Sequence, residues 1–415
     1  MKRHVIAIAL IGGLLAGSVT ACRDGERPIP NGAGVTSEPC PKAVDRSKGC
    51  IYLGIISDLT VGPRAAEAVA VTEAQQKFWD RVNHAGGIGS HEIDAVTYVR
   101  DNKADQATHV RAYGEIRGKV LALAQTTGGY GTAAILSDLR ADPMVAVPAS
   151  RTSAWSFEPD MLESGANYCV EGINAVDYAR TTGTVRSIMS IHLPGEYGDD
   201  GAAGVKAATS LNSITFINVK TDPGADRQDG AASAIIARRP DVVILATTPA
   251  ETETIVRKAV EGGYRGRIIG AGPTWDQALL RGPAAAALTA SYVRMTPWGP
   301  WNADTPGHRA MRAALGSLAP QDGHVGGWVS SYPLKAALET AAARADLTHS
   351  GMQAAARELK VVDYEGMLPA GAANQSMVVS PATGTGAADV PVVRGFFAGP
   401  TVGRTELDHP CFQDL

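Results

Sequence analysis

Apolar residues along this chain recur in two alternating rhythms. Compact apolar runs stand at residues 50–56, 93–99, 120–124 and 144–147, and each reads as a buried strand. Longer stretches with helical spacing separate them. After Gly62-Pro63, the residues Val71, Ala74, Phe78 and Val82 recur three or four positions apart and form one stripe, which predicts a helix. His84-Ala85-Gly86-Gly87 ends it, since glycine takes the left-handed conformation that closes a helix. Further helices are predicted over 104–117 and 132–140. The alternation then restarts. Strands are predicted at 187–191, 213–219, 242–246, 267–270 and 290–293, the last closing the second sheet. Helices are predicted after Tyr197 and over 229–238 and 251–261. Strands that alternate with helices form parallel sheets covered on both faces.

The pattern changes at Met295-Thr296-Pro297-Trp298-Gly299-Pro300-Trp301. Its prolines exclude a helix or an interior strand, so the segment reads as a crossover. Helices follow at 306–318, 325–345 and 350–359, then strands at 376–380 and 390–397. The expected fold is α/β and bilobal, with two doubly wound parallel sheets joined by a multi-strand hinge. Residues 50–170 and 296–365 are assigned to lobe 1, and 171–295 and 366–415 to lobe 2. The hinge crossings are expected at 166–177, 293–298 and 364–369. Open parallel sheets bind ligands at the carboxyl ends of their strands, so two such edges facing each other make a cleft.

The N-terminus carries an address. Lys2-Arg3-His4 precedes an apolar run over 5–19 that is too short to remain a membrane span. Residues 1–21 therefore read as a signal peptide. It ends in Val19-Thr20-Ala21-Cys22, which resembles the lipobox of bacterial lipoproteins. The resemblance implies that Cys22 receives a diacylglyceryl group and becomes the new N-terminus. Residues 22–49 read as a lipidated tether, polar and rich in Gly and Pro in its first part. The folded part is then expected outside the cytoplasm, anchored to the cell membrane through Cys22.

Composition narrows the function. Charged residues are 19%, hydrophobic residues 45%, and net charge is -4 without a long basic run, which argues against nucleic-acid binding. With Cys22 lipidated, four of the five cysteines remain: Cys40, Cys50, Cys169 and Cys411. An even remainder in an oxidising compartment favours two disulfides. Three pairings are possible, and Cys40–Cys50 with Cys169–Cys411 is favoured. No Cys-x-x-Cys or paired-His spacing points to a metal. Gly129-Tyr130-Gly131-Thr132-Ala133-Ala134 has the shape of a dinucleotide fingerprint. It follows the third strand instead of the first, and no acid stands about 20 positions on, so no cofactor is expected. No Gly-x-Ser-x-Gly elbow, His-Glu-x-x-His or phosphate loop occurs, so no enzyme activity is predicted; an exported hydrolase assembled only in space stays as an alternative.

Several short motifs fall in order along the chain. Leu59-Thr60-Val61-Gly62-Pro63 follows the first strand, and Asn83-His84-Ala85-Gly86-Gly87-Ile88-Gly89 ends the first helix. Asp101-Asn102-Lys103-Ala104-Asp105, Val147-Pro148-Ala149-Ser150, Glu196-Tyr197-Gly198 and Pro240-Asp241-Val242-Val243 follow or open later strands. Together they resemble the type I periplasmic binding proteins of ABC transporters, in the branched-chain amino-acid (Leu/Ile/Val) group, over nearly all of 50–400.

The resemblance implies a monomeric solute-binding component that works with an ABC permease and ATPase. A ligand-sensing receptor of the same fold is the alternative. It implies a ligand carboxylate held by the loop Thr126-Thr127-Gly128-Gly129-Tyr130-Gly131, with Gly128, Gly129 and Tyr130 as contacts. Amides at a helix start suit an anion. Ser150 and Thr152 are both candidates after strand four, Tyr197 is the aromatic over the ligand, and Thr248 stands where relatives place another ring. Amino-acid binders of this group pair the ligand's ammonium with a carboxylate. The matching stretch Ile269-Gly270-Ala271-Gly272-Pro273-Thr274-Trp275-Asp276 lacks an acid at that place, and Asp276 comes a few residues late. Arg151, Trp275 and Tyr130 suit an acidic or aromatic solute. The expected ligand is a small polar solute: an amino acid, an amide, or an aromatic or organic acid.

Overall fold

The computed structural model describes residues 32–62, 64–158, 160–359, 362–368, 377–382 and 390–392. The expected signal peptide, Cys22 and Cys411 lie outside the described residues. The chain begins with β1 (Val35–Thr36), β2 (Gly49–Ser57), α1 (Ala65–His84), β3 (His91–Asp101), α2 (Gln106–Ile116), β4 (Ala122–Thr126), α3 (Gly129–Ala141) and β5 (Ala146–Pro148). β2 pairs parallel with β3 along one edge and with β4 along the other, and β4 carries β5. The winding direction therefore reverses between β2 and β4. β2 reads as a nearly continuous apolar run because helices cover both faces of its sheet.

After a crossing, the chain builds the second lobe. Its elements are α4 (Tyr168–Thr181), β6 (Ser187–His192), α5 (Glu196–Leu211), β7 (Thr215–Lys220), α6 (Asp229–Arg238), β8 (Val242–Ala246), α7 (Pro249–Glu261), β9 (Arg267–Gly270), α8 (Ala285–Ser291) and β10 (Tyr292–Thr296). β6 pairs parallel with β7 on one side and β8 on the other, which gives this sheet its own reversal point. The chain returns to the first lobe in α9 (Pro306–Leu315), α10 (Asp322–Ala343) and α11 (His349–Glu358), and comes back to the second sheet as β11 (Met377–Pro381) and β12 (Val390–Val392).

Each sheet has a core on both faces. In lobe 1, Phe78 of α1 meets Trp79, Trp328 and Tyr332 edge to face, and α1 packs along α10. The opposite face buries Tyr113, Ile116, Ile135 and Leu139 from α2 and α3. In lobe 2, α4 and α5 pack so closely that a Cβ at Gly204 would overlap the Cys169 carbonyl. That close approach sets the N-terminal turn of α4 against the middle of α5. A disulfide joins Cys40 to Cys50, and Cys169 is also disulfide-bonded.

Several expectations are corrected. The tether does not extend to residue 49: Val35 and Thr36 pair antiparallel with Ile51 and Cys50, and Glu92 accepts from the amides of Val44 and Asp45. These backbone bonds bind the segment to lobe 1. α2 starts at Gln106, not 104, because Lys103 and Ala104 have φ of 56° and 52° and Asp105 caps the helix through Thr108 N at 2.7 Å. The crossing expected over 166–177 is mostly α4, a helix buried on nearly every side and so without a stripe to reveal it. Asn167 caps it, accepting from Val170 N at 2.9 Å. β10 does not close the second sheet, since β11 and β12 extend it antiparallel. The described part of the third crossing stops at Leu368.

Candidate functional site

The two reversal points face each other, and a cavity of about 210 Å³ lies between them. Lobe 1 contributes the ends of its strands. Asp58 follows β2, Thr127 and Gly128 follow β4, and Ala149 and Ser150 follow β5. Lobe 2 contributes the first residues of helices: Tyr168 of α4, Glu196 and Tyr197 of α5, and Thr248 before α7. Ala68 and Val71 of α1 supply an apolar wall.

Much of the polar lining is already engaged. Gln125 donates to Ser57 Oγ and Thr127 Oγ1, each at 2.8 Å, and accepts from Thr72 Oγ1 at 3.0 Å. It fixes the β4 end in place. Trp155 Nε1 donates to the Ser150 carbonyl at 3.1 Å, which holds the β5 end. Thr248 closes a capping box with Glu251 at the start of α7. The Tyr197 hydroxyl donates to the Thr247 carbonyl at 3.3 Å, and its ring meets Tyr168 edge-on at 4.8 Å. Burial pushes the Tyr197 hydroxyl well above the ordinary tyrosine range, so it stays a neutral donor.

Three acids and one base give the cavity its charge. Arg64 at the entry to α1 lies 2.5 Å from Glu67 one turn on. Burial disfavours the Arg64 cation, but Glu67 beside it outweighs that and keeps it protonated. Asp58 is raised by burial, against a hydrogen bond from Asn102, and its Oδ1 has no partner among the described residues. Glu196 reaches from lobe 2 to lobe 1 and accepts from Gly129 N at 3.1 Å. Burial raises its carboxyl to about 7.

A smaller adjoining cavity of about 70 Å³ shares Arg64, Glu67, Val71, Ala149 and Tyr168 with the first. Arg151 borders it, held by Glu171 at 2.6 Å and lying 5.3 Å from the Tyr168 ring centre and 5.1 Å from that of Trp298. Burial raises Glu171 to about 7, opposed by Arg151. Among the described residues, no group of three or more His, Cys, Asp or Glu is placed to hold a metal ion.

A paired, two-lobed α/β fold with its cavity at facing reversal points is matched by a family model described as periplasmic binding protein, over residues 51–396. The chain belongs to this family. Among solved structures, this binding protein is similar to the fatty acid ABC transporter substrate-binding protein from Thermomonospora curvata. The identity is 25% and the TM-score 0.73, over 84% of this chain and 90% of that one. A branched chain amino acid ABC transporter protein from Thermus thermophilus with bound valine shares the fold at 14% identity and a TM-score of 0.72, over 85% and 96%. So does a solute binding protein of an ABC transporter from Rhodopseudomonas palustris in complex with 3,4-dihydroxy benzoic acid, at 16% and 0.65, over 80% and 93%. No curated protein matches the sequence. The fold is the type I periplasmic binding protein fold, and the family supplies ABC transporters with their solute-binding component.

In this periplasmic binding protein, the residues expected at the site divide into two groups. Gly128, Ser150, Tyr197 and Thr248 border the larger cavity, and Gly129 meets Glu196 beside it. Tyr130, Thr152 and Asp276 border neither cavity. Tyr130 is 70% exposed, and its hydroxyl lies beside Gly195 of lobe 2, just ahead of Glu196. Thr152 is buried beside the crossing. Asp276 accepts from Ala278 N at 2.6 Å and caps its own short turn. Trp275 stacks on Tyr292 at 5.7 Å, outside both cavities. Sequence reading missed Asp58, Arg64, Glu67, Tyr168 and Glu196. Asp58 and Arg64 flank Leu59-Thr60-Val61-Gly62-Pro63, and Glu196 opens Glu196-Tyr197-Gly198, so both motifs held a signal that pointed at their neighbours.

Proposed function

We propose that this protein is the lipid-anchored, extracytoplasmic receptor of an ABC importer, and that it captures a small amphipathic solute by closing its lobes. The observation that carries the reading is the cavity bordered at once by strand ends of lobe 1 and helix starts of lobe 2. A solute there touches both lobes, so its binding energy favours the closed form over the open one. Val71, Tyr168 and Tyr197 offer the solute an apolar surface, and Arg64, Asp58 and Glu196 face its polar end. An amino acid, an amide or a small aromatic or organic acid has these dimensions and this polarity. The membrane-embedded permease and its ATPase are the partners that would read the closed face. A diacylglyceryl group on Cys22 supplies two acyl chains, enough for stable anchoring where one chain binds only marginally.

A thermal-shift screen across amino acids, amides, aromatic acids and fatty acids tests the reading, because a ligand that binds only the folded state raises the melting temperature. Small-angle scattering with the strongest hit is expected to show a smaller radius of gyration than without it. A tight ligand that leaves the radius unchanged overturns closure, and a panel without any hit overturns solute capture.

A further inference from the structure

Glu196 stands where a solute anion would be received. The first amides of a helix lack partners within it and attract negative charge. At the start of α3 this place is taken by the chain itself: the Glu196 carboxylate of lobe 2 accepts from Gly129 N at 3.1 Å. A Cβ at Gly129 would overlap that carboxylate, so glycine is what admits it. The remaining charges point the same way. Asp58, Glu67 and Glu196 face the cavity against the single guanidinium of Arg64, which Glu67 already engages. Asp58 Oδ1 has no donor among the described residues. A buried acceptor without a donor costs free energy until something supplies one.

We propose that Glu196 determines which solutes are accepted: it takes the place of a solute carboxylate at Gly129 and presents an acceptor to a solute bearing an N–H donor, an ammonium, amidinium or amide nitrogen. This rests on the cavity being the solute site. The valine and benzoate-type ligands of the structural neighbours each carry a carboxylate.

Matched amine and acid pairs of increasing size, butylamine with butyrate through benzylamine with benzoate, separate the two classes. Calorimetric titration of the full chain at pH 8 is expected to show the amine of at least one pair binding about tenfold or more tightly than its acid, the scale of a hydrogen bond to a charged group. Glu196→Gln is expected to reduce amine affinity. Glu196→Ala frees the Gly129 amide and is expected to reverse the order. If either variant loses its cooperative melt, Gly129→Ala replaces it, since the added methyl displaces the Glu196 carboxylate while keeping the residue. Acids binding more tightly than amines in the wild-type protein, no amine binding at all, or an order unchanged in the variants each overturn the proposal. Acid binding without amine binding leaves the solute-receptor reading standing; only a failure of the broader panel removes that.

Discussion

Arg294 on β10 and Asp322 at the first turn of α10 form an ion pair between the lobes, with Nη1 2.6 Å from Oδ2. Arg294 is almost fully buried, and its guanidinium lies 5.8 Å from the centre of the Trp275 ring. Asp322 keeps part of its side chain in water. A buried cation needs an opposite charge, so Asp322→Asn strands Arg294. The expected loss is about 1–3 kcal/mol, between that of an exposed pair and a fully buried one. Arg294→Met removes the cation together with the pair and is expected to cost less. Urea denaturation of both variants checks the order, and equal losses would show that desolvation of Arg294 is not the controlling cost.

Tyr197 gives a direct test of the cavity. Its ring borders the space, and its hydroxyl is engaged with Thr247. Tyr197→Ala is expected to weaken binding of the identified solute by about 1–3 kcal/mol, the range for losing a buried aromatic contact. Tyr197→Phe keeps the ring and is expected to stay within about 1 kcal/mol of wild type. Calorimetry on folded variants decides; unchanged affinity in Tyr197→Ala takes the residue out of the site.

The central strands of both sheets were readable because burial on two faces leaves a continuous apolar run, as in β2 and β8. Gly128, Ser150, Tyr197 and Thr248 were readable because each follows a strand end, and strand ends of a parallel sheet point at ligands. Asp276 also follows a strand end, but its carboxylate accepts from Ala278 N, since a strand end fixes a residue's place and not which group its side chain meets first. Arg64 and Glu67 have the spacing of an ordinary surface pair on a helix, and only the opposite lobe turns that surface into a cavity wall. Glu196 is 67 residues from the amide it meets, a distance no local pattern spans. α4 escaped for the opposite reason, with too much burial to leave any periodicity.

The Cys40–Cys50 disulfide closes a loop of sequence separation 10 ahead of β2. Loop-closure entropy sets its contribution at about 2–3 kcal/mol. The loop also delivers the Val44 and Asp45 amides to Glu92, at 2.9 and 2.7 Å. Replacing both cysteines with serine is expected to lower the melting temperature by about 5 °C or more for a lobe of this size. The double replacement is cleaner than a reductant, which would also open the disulfide at Cys169. A melting temperature unchanged by the replacement would mean that the segment is held by its backbone pairing alone.

Closure of the empty protein should depend on pH through Glu196. Burial raises its carboxyl from 4.5 to about 7. Asp200 on the same helix raises it too, while the Gly129 amide, the Ser150 hydroxyl and Arg64 pull it down. Tyr168 also faces it and stays neutral, because burial raises its own hydroxyl. A raised carboxyl means that the closed form holds the proton more tightly than an open form in which Glu196 meets water. The advantage of closing is therefore complete below about 4.5 and is lost as pH rises through about 7. Asp200, raised by burial to about 6 and bonded to Ser153, adds the same sign over a lower window. His109 and His308, lowered by burial to about 4, have the opposite sign, but both lie within lobe 1 and enter its unfolding instead of closure. Small-angle scattering without solute is expected to give a smaller radius at pH 5.5 than at pH 8. Glu196→Gln, which mimics the protonated acid, is expected to show a smaller change across that range, the remainder being carried by Asp200 and by Glu171, which burial also raises, to about 7, in its pair with Arg151. A variant that opens with pH just as the wild type does would assign the dependence to Asp200 or another group and remove Glu196 from the closing contact.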